Sequence, residues 1–444
     1  MIRFFKQLYV TDRLFLLLGI ISLLFVAGFF IPLFFAVAQA TLVMMFAIVA
    51  VDAMILFSSN TKISANRTMQ KILSLGDKNF VNIQIENFSS LKLSVKLIEE
   101  LPYQFQERDF SFQFLLEGNE KKKIIYPLLP VTRGVFQFGN INLFLKSFIG
   151  MLQRKLVIES VTETSVYPSV LQMKKYELKA LARISTQEGI KRLRRIGHSY
   201  EFEEIKEYVR GDDHRSINWK ASSRANSLMV NQFEDERAQQ VYTVIDRSRA
   251  MRMPFNNMSL LDYSVNTSLV ISNIALLKSD KAGLLTFADK IQTFLKAERS
   301  KSQLRKILEA LYLQKEETTE ANFELLFHAS KNYIKGRSLL FLYTNFESMA
   351  AMERALPVLR RISRLHLLVV VFFQNAEIED FSKQRATDIT GIYDQTIAQK
   401  FISDKTQLVT EMHRYGIHCI LTRPEDLSIN TVNKYLEFKS RGMI

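Results

Sequence analysis

The 444-residue sequence is 48% hydrophobic and 23% charged, a composition that predicts about two or three domains folded around apolar cores. Its one cysteine, Cys419, excludes an internal disulfide framework and is typical of a reducing compartment. The formal net charge of +14 indicates an anionic neighbour, which is a membrane surface, a nucleic acid or an acidic partner.

The N-terminal region contains an uncharged apolar run, Leu14–Val51. One helical span needs about 20 residues to cross roughly 30 Å of hydrocarbon, so this run is long enough for two spans. Gly28 and Pro32 near its middle indicate a turn. We therefore predict a membrane anchor over residues 1–60 that forms a tight two-helix transmembrane hairpin; the alternative is one kinked helix followed by an interfacial segment. The predicted spans are residues 14–31 and 33–57.

Basic residues flank both ends of the predicted hairpin. They are Arg3, Lys6 and Arg13 before the first span, and Lys62, Arg67 and Lys71 after the second. Because flanks rich in Lys and Arg stay in the cytoplasm, the bulk of the chain is predicted to be cytoplasmic and the lipid bilayer to be a partner. Asp52 lies near the inner end of the second span, where we interpret its carboxylate as snorkelling to the interface.

Residues 61–168 change to the period of a β-strand. In FVNIQIENF, Val81, Ile83 and Ile85 alternate with polar residues, and LKLSVKLIEEL, FSFQF and GVFQFGNINLFL repeat the alternation. Period two places one face of each strand on a core and the other in water. Turn sequences separate the runs at spacings that suit a small antiparallel β-sandwich, which we predict here with a structural or docking role.

A basic connector is predicted over residues 169–197. Leu178, Leu181 and Ile184 recur at helical spacing. Four basic residues follow them, Lys191, Arg192, Arg194 and Arg195. This basic cluster either binds anionic lipid headgroups near the anchor or forms a solvated helix face, and the sequence leaves both interpretations open.

Residues 198–444 have the pattern of an α/β domain. Short apolar strands (VYTVI, AGLLTF, RSLLFLY, HLLVVVFF and GIHCILT) alternate with helical segments such as LLDYSVNTSLVISNIALL. This order predicts a mostly parallel, Rossmann-like sheet covered on both faces, with ligands beyond the carboxyl ends of its strands. Asp246 and Ser248 follow the first of these strands, and Thr344 and Asn345 follow the third.

The stretch before the first strand is the most distinctive part of the chain. It contains the only tryptophan, Trp219, close to the polar run Arg210–Arg215. Gly211 indicates a turn, after which Asp212 or Asp213 is expected to cap a short helix. The segment is either a recognition surface or an Arg–Asp lattice over a buried Trp219, and the lattice is the favoured interpretation.

The order of strands and polar strand ends resembles the von Willebrand factor type A fold. That fold has a metal-ion-dependent adhesion site with D-x-S-x-S after the first strand, a threonine on a later loop and an aspartate after the fourth strand. Here Ala250 replaces the second serine, Asn345 stands in place of the far aspartate, and Thr318 or Thr319 is the nearest threonine. Because Mg²⁺ prefers about six hard oxygen ligands, the resemblance implies a degenerate site with no metal, or weak Mg²⁺ at Asp246 and Ser248.

Several motifs in one order also resemble the bacterial family called domain of unknown function 58. They are Y-x(2)-GDD-x-R-x-I-x-W-x-A-x(2)-R, DRSRAM, LLTFADK and a terminal YLEFKSR. The family-motif residues are Tyr208, Gly211, Asp212, Asp213, Arg215, Trp219, Arg224, Asp246 and Ser248. The resemblance implies a multi-pass protein of the bacterial cytoplasmic (inner) membrane. It also implies an adaptor that works alongside a MoxR-type AAA+ ATPase in assembly, maturation or stress processes.

An interaction protein is therefore the predicted function. The sequence has no GxxxxGK[ST] phosphate loop, no G-x-S-x-G elbow and no H-E-x-x-H motif, so neither an enzyme nor a cofactor is expected. Its aromatic residues are not interleaved with Lys and Arg, which argues against nucleic acid. The alternatives are an unrecognised membrane-bound hydrolase and a metal-dependent adhesion-type binding protein. The predicted docking edge, next to Gly211–Trp219, consists of Asp246, Ser248, Arg249, Thr344 and Asn345.

Overall fold

The chain forms two units, Met1–Tyr167 and Pro168–Ile444. The structure is a computed structural model. It describes residues 7–58, 62–107, 110–177, 201–209, 214–225, 227–234, 238–300, 302–346, 348–383 and 389–443. Residues 178–200, which include most of the predicted connector and its basic cluster, lie outside the described residues, as do Gly211, Asp212 and Asp213.

The first unit begins with two apolar helices, α1 (Asp12–Phe30) and α2 (Pro32–Phe57). They are separated by Ile31, which is extended with φ −133° and ψ 109°. Pro32 then starts α2 at a position where its missing N–H costs nothing. At Gly28 a Cβ would lie 2.8 Å from the backbone nitrogen of Phe35, so glycine lets the chain fold back tightly. Both helices are long and apolar enough to cross a membrane.

Asp52 on α2 is buried and accepts hydrogen bonds from one loop of the same unit. Its carboxylate accepts from the backbone N–H of Met151 at 2.9 Å, from that of Leu152 at 2.8 Å, and from the hydroxyl of Ser147. The snorkelling interpretation is therefore wrong, because the carboxylate is buried and hydrogen-bonded to loop donors and does not reach water. Asp52 instead fastens α2 to residues 147–152.

Eleven strands of the described first unit form three sheets. The strands are β1 (Leu8–Val10), β2 (Ile63–Thr68), β3 (Ile72–Ser74), β4 (Asn79–Asn87), β5 (Leu93–Glu99), β6 (Ser111–Leu116), β7 (Lys121–Leu128), β8 (Gly134–Phe138), β9 (Ile141–Lys146), β10 (Leu152–Ile158) and β11 (Thr162–Tyr167). The sheet orders are β1-β10-β9-β5-β6, β2-β4-β7 and β3-β11-β8. The predicted alternation is confirmed, since Val81, Ile83 and Ile85 are all fully buried. The pairing is not wholly antiparallel, because β11 runs parallel to β3.

A six-stranded sheet organises the second unit, in the order β18-β17-β14-β19-β20-β21. The strands of this unit are β12 (Glu201–Glu207), β13 (Met229–Glu234), β14 (Gln240–Asp246), β15 (Pro254–Phe255), β16 (Met258–Ser259), β17 (Lys281–Phe287), β18 (Ile291–Glu298), β19 (Leu339–Tyr343), β20 (Leu367–Phe373) and β21 (His418–Thr422). The helices are α3 (Trp219–Ala225), α4 (Leu260–Leu277), α5 (Gln303–Tyr312), α6 (Phe323–Tyr333), α7 (Met349–Leu365), α8 (Ala376–Lys383), α9 (Ile389–Arg414) and α10 (Leu427–Ser440). The five predicted strands are confirmed as β14, β17, β19, β20 and β21.

Two cores cover the faces of this sheet. Val241 and Ile245 of β14 pack into one core with α4, α5 and α10, while Tyr242 and Val244 pack into the other with α6, α7 and α9. Helix α4 is also apolar enough to cross a membrane, but 83% of its apolar window is buried inside the unit, as expected for a core helix. The predicted mixed, multi-domain architecture with N-terminal apolar helices is thereby confirmed.

The strand order reverses at β14. It pairs in parallel with β17 on one side and with β19 on the other. Only β18, at the edge, is antiparallel within this sheet; its mixed apolar and polar sequence, IQTFLKAE, was not predicted as a strand. In open α/β sheets ligands bind at the carboxyl ends of strands, where the order reverses. The gap between the ends of β14 and β19 is therefore the expected position of a functional site.

Candidate functional site

Asp246 ends β14 and faces the end of β19. One carboxylate oxygen accepts a hydrogen bond of 2.7 Å from the Thr344 hydroxyl, and the other accepts one of 2.8 Å from the backbone N–H of Ser248. Burial raises the pKa of Asp246 above its ordinary value, and the hydrogen bonds from Thr344 and Ser248 oppose that rise. The side chain therefore joins two strand ends and the turn that follows the first of them.

Asn345 forms the second part of the strand-end cluster. Its amide oxygen accepts a 2.8 Å hydrogen bond from the Lys405 ammonium on α9, which also donates to the Phe346 carbonyl at 2.8 Å. Its amide nitrogen donates to the Ala250 carbonyl at 3.4 Å. Asn345 thus links the β14 turn, the β19 end and α9. We define the strand-end cluster as Asp246, Ser248, Thr344, Asn345 and Lys405.

Lys405 was not predicted from the sequence. It is only 6% exposed, and Ala398, Leu408 and Met412 of the same helix are buried beside it. The spacing of these residues gives the signal that could have revealed it, because a lysine within the apolar stripe of a helix must bring its ammonium to a buried acceptor.

Three ion pairs join the turn after β14 to the loop before α6. They connect Arg247 to Glu317 at 3.1 Å, Arg249 to Glu320 at 3.2 Å and Arg252 to Glu316 at 3.7 Å. The backbone N–H of Arg249 also donates to the Thr319 carbonyl at 3.0 Å. In the sequence, the opposite charges of the stretches DRSRAMR and KEETTE are the signal that could have predicted this pairing. We call this set of six charged residues the Arg–Glu ladder.

The predicted docking residues come together, but they differ in exposure. Asp246, Ser248 and Thr344 are at most 1% exposed and Asn345 is 9% exposed. Arg249, by contrast, keeps 55% of its side chain exposed. The four buried residues therefore fix the shape of the edge, while Arg249, Arg252 and Glu320 of the Arg–Glu ladder form its surface; Arg247 of the ladder is buried.

The donor set at this edge does not fit a divalent cation. Asp246 is the one carboxylate of the strand-end cluster, and Ala250 has no hydroxyl to offer. The oxygen of Asn345 already accepts from a buried ammonium, whose positive charge would repel a metal ion. The Thr319 hydroxyl lies 3.4 Å from Glu317 and donates to it. Throughout the described part of the chain, no group of three or more His, Cys, Asp or Glu side chains is arranged to hold a metal.

The motif segment forms a separate small element, in which β12 pairs antiparallel with β13 around α3. Trp219, the first residue of α3, is 71% exposed, so the favoured prediction of a buried tryptophan is wrong. Asn218 caps α3, because its side-chain oxygen accepts from the Ala221 N–H at 3.0 Å. Asp212 and Asp213, which were expected to cap the short helix, lie outside the described residues. Tyr208 stacks on His214 at a ring distance of 5.8 Å, and Arg224 lies in the last turn of α3.

Two solved structures are similar to parts of this chain, and the similarity is weak. The CARDB domain of a Pyrococcus furiosus protein in complex with di-metal ions matches at 10% identity and a TM-score of 0.19, over 24% of this chain and 90% of that one. A PapD-like domain of human CEP192 matches at 16% identity and a TM-score of 0.18, over 24% and 86%. Scores of this size support no inference about this chain.

The comparison of sequences is more informative. A curated relative, the uncharacterized protein YeaD of Bacillus subtilis, is 23% identical over 196 residues, which are 41% of this chain and 47% of that protein. The chain thus matches about half the length of that relative. The model of the family described as Protein of unknown function DUF58 matches residues 204–404, which include the family-motif residues and the whole strand-end cluster apart from Lys405. The predicted resemblance to this family is therefore confirmed over residues 204–404.

Proposed function

We propose that the chain is a non-enzymatic, membrane-anchored adaptor whose α/β unit docks partner proteins at the carboxyl edge of the six-stranded sheet. The observation that carries this proposal is that the polar side chains of the strand-end cluster already form hydrogen bonds with one another. Asp246 is occupied by Thr344 and Ser248, and Asn345 by Lys405. Groups that already bind one another are poorly placed to bind or transform a small substrate.

A von Willebrand factor type A-like fold is part of this proposal. The order β18-β17-β14-β19-β20-β21 with one antiparallel edge strand supports it. In that fold, the edge beyond β14 and β19 holds a metal ion that receives a partner's carboxylate. Here Asn345 and Lys405 occupy the corresponding region, and we propose that docking proceeds without a metal.

The exposed charges of the Arg–Glu ladder supply the contact surface. Ion pairs between exposed side chains contribute only about 0–1 kcal/mol, so Arg249 can exchange Glu320 for a carboxylate of a partner at little cost. Charges at the rim of an interface steer association and select partners. The family resemblance points to a MoxR-type AAA+ ATPase as that partner, and the apolar helices α1 and α2 support an anchor in the cytoplasmic membrane with the α/β unit inside the cell.

A binding measurement with the full chain tests the adaptor function. The protein in nanodiscs is titrated with a purified MoxR-type ATPase from the same cell, together with the variants Arg249→Glu and Lys335→Glu. Lys335 is exposed and precedes β19, at the opposite edge of the sheet. Reversal at Arg249 should weaken binding by about tenfold or more, whereas reversal at Lys335 should not. Equal effects of the two variants, or no binding at all, would argue against this docking edge.

Calorimetric titration of the full chain with Mg²⁺ and Mn²⁺ tests the metal-free part of the proposal. We expect no dissociation constant tighter than millimolar. The Asp246 carboxylate, the only one of the strand-end cluster, already accepts from Thr344, and the Lys405 ammonium is bound to Asn345. A dissociation constant in the micromolar range that Asp246→Asn abolishes would favour the metal-dependent alternative.

A further inference from the structure

The first unit contains a cavity of about 460 Å³ beside the first turn of α1. Its lining includes Thr11 and Arg13 at the start of α1, Lys92 and Ser94 of the β5 region, and Lys146 at the end of β9. This volume falls within the roughly 300–1,000 Å³ range of small-molecule sites in proteins. None of these residues belongs to the strand-end cluster, so the cavity is a separate feature of the molecule.

The register of the five-stranded sheet explains why cations meet in this cavity. Ser94 pairs with Lys146 across β5 and β9. Lys92 lies two positions before Ser94, and alternate residues of an extended chain share a face. Leu93 and Val95 point into the core on the other face and are almost fully buried. The sheet therefore directs both lysines toward the start of α1.

The charges of the cavity are unequal. Three cationic side chains, those of Arg13, Lys92 and Lys146, line it together with one carboxylate, that of Asp12. Lys92 is partly neutralised, because its ammonium lies 2.5 Å from Glu117. Within the described residues, Arg13 and Lys146 form no ion pair, and Arg13 makes only a long 3.4 Å contact to the Ile149 carbonyl. An anion entering the cavity would meet two cations that lack an acidic partner.

The cavity opens where the apolar helix begins. Phe15 and Leu16, immediately after Arg13, are each 64% exposed, and Phe148 on the cavity wall is 77% exposed. The wall is fixed to both helices, since Thr11 donates its hydroxyl to the Gly150 carbonyl at 2.8 Å and Asp52 accepts from the same loop. Cationic groups beside exposed apolar side chains at the end of a spanning helix lie at the depth of lipid headgroups.

We propose that this cavity binds the phosphate of an anionic phospholipid headgroup, held by Arg13 and Lys146. Phe148 then packs against the upper part of the acyl chains. The proposal rests on the membrane anchor of the proposed function. It gives the first unit a role of its own, which is to select anionic lipid around the anchor.

Lipid titration of the full chain in neutral detergent tests this proposal. Short-chain phosphatidylglycerol, short-chain phosphatidylcholine and inorganic phosphate are compared by their dissociation constants, for the unaltered protein and for Arg13→Gln, Lys146→Gln, Lys146→Arg and Lys78→Gln. Lys78 is an exposed lysine of the same unit that does not line the cavity. Each loss of a cation should weaken phosphatidylglycerol binding about fivefold, the equivalent of about 1 kcal/mol per basic residue near an anionic surface. Lys146→Arg and Lys78→Gln should bind as the unaltered protein does.

Three results would overturn the headgroup site. They are equal affinity for the two lipids, unchanged affinity in the Arg13→Gln and Lys146→Gln variants, and inorganic phosphate binding as tightly as the lipid. Thermal unfolding of each variant identifies any that fails to fold; the remaining Gln variant, and the lipid preference of the unaltered protein, then carry the comparison. Alkaline carbonate extraction of cell membranes separates this test from the anchor. Release of the chain would contradict the anchor itself, whereas retention without lipid preference would contradict only the headgroup site.

Discussion

The strand-end cluster and the motif hairpin, which consists of β12, α3 and β13, use their side chains in opposite ways. In the cluster, Asp246 and Thr344 are buried and bonded to each other. In the hairpin, Trp219 is 71% exposed although it is the only tryptophan of the chain. A carboxylate costs stability when buried without partners, and an indole gains little when left in water. The comparison therefore indicates that the cluster stabilises the domain, and we propose that the hairpin is a contact surface for a partner.

The largest effect is expected at Asp246. Asp246→Ala leaves the Thr344 hydroxyl and the Ser248 N–H without their acceptor, and each loss costs about 1–3 kcal/mol. The free energy of unfolding should fall by about 2–5 kcal/mol in all, which thermal unfolding of the full chain in detergent reports at roughly 2–4 °C per kcal/mol. Asp289→Ala, at an exposed aspartate in the turn after β17, is the control and should change little. Equal changes in the unfolding midpoint of the two variants would contradict the structural role that we assign to the cluster.

The next effect concerns Lys405. Lys405→Met retains a side chain of similar length but removes the donor to Asn345 and Phe346, so the unfolding midpoint should fall by an amount equivalent to about 1–3 kcal/mol. Lys400→Met, at an exposed position of the same helix, should have a midpoint close to that of the unaltered protein. A more stable Lys405→Met variant would mean that burying the ammonium costs more than its two hydrogen bonds return.

The pH dependence of the free energy of unfolding tests the structural role of Asp246. Burial raises the pKa of its carboxyl in the folded protein. The folded state therefore holds this proton more tightly than the unfolded chain, whose carboxyl titrates at about pH 4. The contribution of Asp246 to stability is complete below that pH and is lost as the pH rises through the higher folded value. The stability of the unaltered protein relative to Asp246→Asn should thus decline from about pH 4 upward. A relative stability that rises with pH would contradict this sign.

The smallest effect on stability is expected in the hairpin. Trp219→Ala should change the free energy of unfolding by less than about 0.5 kcal/mol, because the indole is mostly in water. Asn218→Ala, one residue earlier, should cost about 1 kcal/mol through the lost helix cap. Trp219→Ala should nevertheless reduce partner binding if the hairpin is a contact surface. A loss of several kcal/mol in Trp219→Ala would show that the indole is buried.

Much of the fold could be predicted because its signals are local. The uncharged run predicted α1 and α2, alternation predicted β4 and β5, and the apolar runs predicted the five parallel strands of the second unit. The antiparallel edge strand β18 was missed because one of its faces is half exposed and its apolar pattern is weak. In each correct case, the pattern of one segment was enough to predict its structure.

The site was harder to predict because burial of a polar residue depends on distant segments. Asp246 and Thr344 are 98 positions apart in the sequence, and Lys405, which binds Asn345 from α9, is 60 positions after it. The sequence places Asp246 and Asn345 at strand ends but does not show that other parts of the chain already occupy them. The exposure of Trp219 was mispredicted for the same reason. Tryptophan is usually buried, but whether a core lies close enough to cover it depends on distant segments.

Site-specific photo-crosslinking in living cells tests the docking edge most directly. A photoreactive amino acid replaces Arg249, Trp219 or, as the control at the opposite edge of the sheet, Lys335, in the full membrane-anchored chain. We expect a covalent adduct with a MoxR-type AAA+ ATPase at Arg249, a similar adduct at Trp219, and none at Lys335. Adducts with that ATPase at Lys335 alone, or at none of the three positions while the ATPase is present in the cell, would contradict a docking surface at the carboxyl edge.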